Sequence, residues 1–179
     1  MSAPRLRHSL SVARWAGELA RLHGADPDQA VRAGLLHDWA KEWSPARLRG
    51  YVRKHGVSVP GLNLILEHRR EGLLHGYVSA HRAGRRGWAG APATRAAMAR
   101  HTLGHGRMTL LDKILYVADF SSPDRRTPES VRVRRLARRD LEGALRAAAG
   151  YKIQWVVRRG GFLHPATVAM WNALAKSRA

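Results

Sequence analysis

Apolar residues recur at three-to-four spacing over residues 6–24, where Leu10, Val12, Ala13, Ala16, Leu19, Ala20 and Leu22 share a face. The pattern predicts an amphipathic helix ending near Gly24. Asp26-Pro27 reads as a cap with proline in the first turn, and it opens a second helix through Ala30, Ala33, Leu35 and Leu36. That helix is expected to run on into His37-Asp38 and Lys41. Ser44-Pro45 starts a third helix that stops at Gly56, residues 57–61 read as a loop, and Leu62 to Glu67 as a short helix. Beyond Gly76 a helix carries Tyr77, Val78 and Ala80, and another over 94–100 delivers His101. Thr109 caps an apolar run, Leu110 to Ala118, that ends at Asp119. The pattern then predicts helices over 129–149, 150–159 and 165–176. There is no alternating strand pattern, no internal repeat and no linker. The expectation is an all-α, single-domain bundle spanning 1–179, about nine helices around one core with the C-terminal helices packed on it.

Composition narrows the chemistry. A chain of 179 residues is long enough to enclose one core and short for two enzyme domains. Cysteine is absent, which excludes disulfide frameworks, thiolate metal sites and cysteine nucleophiles, so any metal must be held by imidazole and carboxylate. The N-terminus shows no apolar signal core, and no stretch is long and apolar enough to span a bilayer, so a cytoplasmic protein is expected. Thirty-two Lys and Arg against thirteen Asp and Glu give a net charge of +19, a field that attracts nucleotides and, nonspecifically, nucleic acid. Lysine occurs only at 41, 54, 113, 152 and 176, and this arginine-heavy profile, rich in alanine and glycine, is what a GC-rich genome produces on a solvated surface.

Against that background six polar residues stand out: His8, His37-Asp38, His75, His101 and Asp119. His37 and Asp38 follow Leu35-Leu36 and precede Trp39-Ala40, while Asp119 ends the run Tyr116-Val117-Ala118. Apolar neighbours bury such groups, and a buried carboxylate or imidazole is costly unless paired or bound to a metal. A lone histidine on an apolar face is most often a hydrogen-bonded core residue, but six such residues in one pattern favour a metal site.

The order His…His-Asp…Asp resembles the HD superfamily of metal-dependent phosphohydrolases. Four stretches are more specifically similar to the bacterial YqeK family, which resembles a symmetrical diadenosine tetraphosphatase. They are Arg7 to Leu10 with Val12, Ala33 to Lys41, Leu73 to Gly76, and His101 to Gly104 followed by Met108 to Asp119; the tail from Ile153 to Asn172 continues the likeness. The resemblance implies an HD-type bundle with a binuclear centre containing iron. His8, His37, Asp38 and Asp119 would hold one ion, and His75 and His101 the other, with Asp38 bridging. Manganese, zinc or cobalt suit the same donors. Two such ions lie about 3.5–4 Å apart and activate water for attack on phosphorus. The implied reaction is symmetrical cleavage of a dinucleoside tetraphosphate into two nucleoside diphosphates.

Asp38, Lys41 and Arg125 are the candidate catalytic residues. Lys41 is three residues after Asp38 and projects to the same face. Arg125 stands where the family has a basic residue two places after an acid-proline pair, although Ser122 replaces the usual glutamate. Lys113 is either functional or a surface partner of Asp112. Two alternatives remain open at this level. A mononuclear HD nucleotide phosphohydrolase would leave His75 and His101 unexplained. A basic RNA- or ribosome-associated module would use the charge, but the arginine runs 82–86 and 132–139 are not interleaved with aromatics as a single-strand platform requires. Trp88, Trp155 and Trp171 neighbour helical apolar positions and are expected in the core rather than on a homodimer surface.

Overall fold

Ser2, Asp26, Ser44, Thr109, Thr127 and Asp140 each accept a hydrogen bond from a backbone N–H two or three residues on, and each opens a helix. The computed structural model describes residues 1–176, and among these ten α-helices and one 3-10 turn make up the regular structure. They are α1 (Ala3–His23), α2 (Pro27–Leu36), α3 (Pro45–His55), α4 (Leu62–Glu67), the turn Glu71–Leu74, α5 (His75–Arg85), α6 (Pro92–Arg100), α7 (Leu110–Ser121), α8 (Pro128–Ala137), α9 (Leu141–Arg158) and α10 (Pro165–Lys176).

α7 is the axis of the fold. Ile114, Leu115, Tyr116, Val117 and Ala118 are all fully buried, so this helix is covered on every side. Each large side chain among them contributes about 1.5–3 kcal/mol by leaving water. Around α7 pack Val12, Ala16 and Leu19 of α1, Ala33 of α2, Met98 of α6 and Leu145 of α9 in one continuous core. A second cluster gathers Leu48, Val52, Ile65, Leu74, Tyr77 and Val78 beneath α3 to α5. α1 and α2 cross at Gly34, where an added Cβ would lie 2.6 Å from the Ala13 Cα. That close approach brings His8 on α1 and His37 at the end of α2 into range of each other.

The structure departs from the sequence expectations in four places. The expected helix over 129–149 breaks after Ala137, because Asp140 turns to an extended conformation and caps the Gly143 N–H at 2.8 Å. The break expected near residue 150 is absent, since α9 passes through Gly150, where the Trp171 ring lies 3.6 Å from the position of a Cβ. α2 ends at Leu36, and residues 39–43 continue in tight turns, with Trp39, Lys41 and Trp43 each donating to the carbonyl three residues back. Such a turn still aligns residues three apart, so Asp38 and Lys41 keep a common side. Finally, Trp88, Trp155 and Trp171 are not core residues: they are 50%, 60% and 38% exposed. Trp88 stacks on Trp39 with ring centroids 5.0 Å apart. Arg82 lies over Trp39 and Trp43 at 4.1 and 4.5 Å, so the fold supplies an interleaving of arginine and tryptophan that the 82–86 run lacks in sequence.

Candidate metal centre

Three histidines of the site are held in the same way. His37 Nδ1 donates to the Gly34 carbonyl at 2.7 Å, His75 Nδ1 to Gly72 at 2.6 Å and His101 Nδ1 to Met98 at 2.7 Å. In each case the acceptor is three residues back in a helix or turn that stops at or near the histidine, where carbonyls lack intrahelical partners. The bond fixes the tautomer: the proton sits on Nδ1 and Nε2 presents a lone pair.

The Nε2 atoms converge on Asp38. Its Oδ1 lies 3.0 Å from His75 Nε2 and 3.5 Å from His101 Nε2, and its Oδ2 lies 3.5 Å from His37 Nε2. Neither His37 Nε2 nor Asp38 Oδ1, both buried, has a hydrogen-bond partner. A buried polar atom without a partner is rare and costly. Here the unpartnered atoms are all electron-pair donors facing one another, and a cation satisfies them where hydrogen bonds cannot. The donors form two groups that share Asp38: His8, His37 and Asp38, and Asp38, His75 and His101. With nitrogen and carboxylate oxygen only, the set fits a divalent ion.

His8 and Asp119 complete the arrangement. His8 Nδ1 donates to Asp124 Oδ2 at 2.8 Å, while its Nε2 faces Asp119 Oδ1 at 3.3 Å. Asp119 Oδ1 is 3.9 Å from His37 Nε2 and also accepts from Arg125 Nη2 at 2.8 Å, so the carboxylate stands beside the first group and is turned partly toward a guanidinium. All six sequence-level ligand candidates are therefore brought together.

Burial would lower the His8 imidazole, but Asp119 and Asp124 raise it above its ordinary value; the protonation states of the other five donors suit a cation. Burial drives the His37 imidazole down to about 4, with His101 adding to the effect and Asp38 and Asp119 opposing it. Burial likewise lowers His75 and His101. Burial opposes ionisation of Asp38 and Asp119, yet His37, His101 and His75 around the first and His8, Lys152 and Arg125 around the second hold both carboxyls well below the usual carboxylate range. Neutral imidazoles and ionised carboxylates are what metal binding requires.

These groups open onto a cavity of about 1210 Å³ lined by Arg5, Asp38, Lys41, His101, Asp119 and Arg125, and also by Lys152, Trp155, Arg158 and Arg159 of α9 and the residue after it. Lys41 Nζ lies 3.4 Å from His75 Nε2, which puts it at the second group. Arg125 donates through Nε to the Asp119 carbonyl at 2.5 Å as well as to its carboxylate, so it braces Asp119 while facing the cavity. Lys113 is elsewhere: it pairs with Glu142, and Asp112 is paired instead with Arg100 at 2.7 Å. His105 bonds within its own loop to the Arg107 N–H at 3.0 Å and belongs to neither donor group.

Sequence reasoning missed Arg5, which bonds Asp38 Oδ2 at 2.6 Å, Asp124, and Lys152, whose Nζ lies 3.7 Å from Asp119 Oδ2 and 3.9 Å above the Tyr116 ring. Burial lowers the Lys152 ammonium to about 8, while Asp119 opposes that shift. A signal for Lys152 did exist. In a chain that uses arginine for nearly every positive charge, each of the five lysines marks a place where arginine was not used, and two of them, Lys41 and Lys152, face this cavity.

Residues 5–123 match the family model described as HD domain. The chain is 31% identical over 170 residues to a Halalkalibacterium halodurans protein named "Bis(5'-nucleosyl)-tetraphosphatase, symmetrical", covering 95% of this chain and 88% of that one. A Bacillus subtilis protein of the same name is also 31% identical over 170 residues, with 89% of its length covered. The crystal structure of a Clostridium acetobutylicum protein described as a "predicted HD superfamily hydrolase involved in NAD metabolism" superposes with a TM-score of 0.91 at 31% identity, covering 100% of this chain and 92% of that one. Among the described residues no helix is long and apolar enough to cross a membrane.

Proposed function

The chain belongs to the HD domain family, whose enzymes are metal-dependent phosphohydrolases, and on that premise we propose that it hydrolyses dinucleoside tetraphosphates symmetrically. In this reaction a water oxygen bonds to a central phosphorus, the central bridging oxygen leaves, and two nucleoside diphosphates result. The observation that carries the proposal is the second donor group: His75 and His101 face Asp38 Oδ1, whereas His37 faces its Oδ2, a second pair for which a mononuclear enzyme has no use. His8, His37, Asp38 and Asp119 would hold one ion and His75, His101 and Asp38 the other, with iron, the metal the resemblance implies, as occupant. When bound, the ions supply Lewis acidity that lowers the pKa of water and offsets charge on the phosphoryl oxygens.

The chain's own residues do the rest. The Gly34, Gly72 and Met98 carbonyls fix the tautomers of His37, His75 and His101, so these three need not rotate or shed a proton before binding, while Asp124 orients His8. Lys41, beside His75, and Arg125, beside Asp119, line the cavity together with Asp38 and bind phosphoryl oxygens of the substrate. Arg5, bonded to Asp38 in this arrangement, is a further cation on the same wall.

The test is product analysis. Protein loaded anaerobically with iron, or with manganese, is supplied with diadenosine tetraphosphate, and ADP is expected as sole nucleotide product. Formation of AMP with ATP would overturn the symmetrical assignment, and no turnover by protein with a full metal complement would overturn the substrate. Asp38→Ala should remove both ions and all activity.

A further inference from the structure

We propose that α9 builds the nucleoside-binding half of the cavity, with Lys152 holding the phosphates of one nucleotide and Trp155 stacking on its base; this rests on the reading of the cavity as a dinucleotide site. Lys152, Trp155 and Arg159 are spaced i, i+3 and i+7 and fall on one helical face, and all three line the cavity that contains Asp38 and Asp119. The cavity's volume of about 1210 Å³ exceeds the roughly 300–1,000 Å³ of pockets for single small ligands.

Along this face the chemistry changes in the order that a nucleotide presents it. At the inner end the half-buried Lys152 ammonium stands beside Asp119, 3.7 Å from the carboxylate, so its donors can turn to a phosphate. One turn outward Trp155 is 60% exposed, yet the Arg159 guanidinium lies 4.3 Å from its ring centroid. A cation on one face of an indole fixes the ring's position and leaves an aromatic surface to receive a base. Single exposed apolar residues are commonplace. This one differs because it shares a wall with the donor groups and a phosphate-ready cation. α9 also lies outside residues 5–123, so the phosphohydrolytic core and the part that selects a nucleoside come from different stretches of the chain.

The proposal separates two ligands that share phosphates and differ in the base. Binding of ADP and of inorganic diphosphate to manganese-loaded protein is measured by calorimetry for wild type, Trp155→Ala, Trp155→Phe and Lys152→Met. Trp155→Ala should weaken ADP about tenfold, in the range of one lost base stack, and leave diphosphate unchanged. Trp155→Phe should restore most of the ADP affinity, and Lys152→Met should weaken both ligands. No binding of ADP by wild type, equal loss of both ligands in Trp155→Ala, or a change of oligomeric state in that variant with ADP affinity intact would each overturn the assignment. Should the binding pattern hold while wild type leaves diadenosine tetraphosphate intact, the nucleoside subsite stands and the tetraphosphatase reading falls.

Discussion

His75 and His101 point their Nε2 atoms at each other across 3.1 Å, although each donates its Nδ1 proton to a main-chain carbonyl. Two lone pairs at that distance repel. The Thr102 hydroxyl, 3.1 Å from one and 3.0 Å from the other, has a single proton, and the Lys41 ammonium reaches only His75, at 3.4 Å, so neither donor lies between the two nitrogens to relieve their repulsion. Asp38 Oδ1, 3.0 Å from His75, adds negative charge and no proton. An ion among these atoms resolves the conflict, and the first prediction follows. Wild type should bind two ions per chain, and His75→Ala should bind one with its melting transition intact, as counted by elemental analysis after gel filtration. Two ions retained in the variant would contradict the assignment.

Gly76 makes this pair possible. A Cβ there would sit 2.9 Å from the Met98 carbonyl and 3.1 Å from the His101 ring, and the carbonyl is the one that holds His101. Gly76→Ala should therefore displace His101 and cost about 1–3 kcal/mol in stability through overpacking. The expected result is loss of the second ion with retention of the first, read by titration of the apo variant with manganese. Unchanged binding of both ions would show that the neighbouring helix yields at no cost to the site.

These particulars explain what the sequence made legible. His37, Asp38, His75 and Asp119 could be read because each interrupts or ends an apolar run, and such an interruption needs a partner wherever the helices go, whereas His101, between Arg100 and Thr102, was read from the stretch that resembles the family. Caps at Asp26 and Thr109 were equally local and were found with their bonds in place. Asp124 was not legible as a site residue, and Lys152 only through its being a lysine in an arginine-rich chain, since their roles depend on segments far apart in sequence meeting, Asp124 at His8 and Lys152 at Asp119. The tryptophans misled for a related reason: Trp155 neighbours apolar positions along the chain, but its side of α9 faces a cavity rather than another helix.

Asp124 supports His8 from outside the donor groups. Its Oδ2 accepts from His8 Nδ1 at 2.8 Å, and its own N–H donates to the Ser11 hydroxyl at 3.2 Å. An imidazole ligand without such a carboxylate loses basicity and orientation, at a cost of about 10–100-fold in metal affinity. Asp124→Asn should weaken the first ion by that factor and leave the His75 and His101 ion unchanged. Competition with a chelator measures both, and equal weakening of the two ions would contradict a role confined to His8.

The pairing of Arg100 with Asp112 anchors the helix that delivers Asp119. Asp112 is fully buried; it accepts from Arg100 at 2.7 Å and from the Thr109 N–H at 2.9 Å, while Thr109 caps the Asp112 N–H in return. Removing the carboxylate strands a partly exposed guanidinium and undoes the capping box. Asp112→Ala should cost about 2–4 kcal/mol, below the upper range for a fully buried pair because Arg100 retains some solvent. Urea denaturation measures it, and a loss below 1 kcal/mol would mean that the pair contributes little.

Asp26 gives a prediction in pH. The Gln29 side chain and backbone, followed by the Asp28 N–H, hold this exposed cap's carboxyl below its ordinary range. A carboxyl with a lower pKa folded than unfolded stabilises the fold above its unfolded value and loses that contribution as pH falls through the folded value. Asp26→Asn keeps a capping oxygen but removes the charge that favours a helix N-terminus. Wild type should melt above the variant near neutral pH, and the two should converge as the solution is acidified below the ordinary carboxylate range. A difference in Tm that stays constant down to pH 3 would place the effect in cap geometry instead of charge.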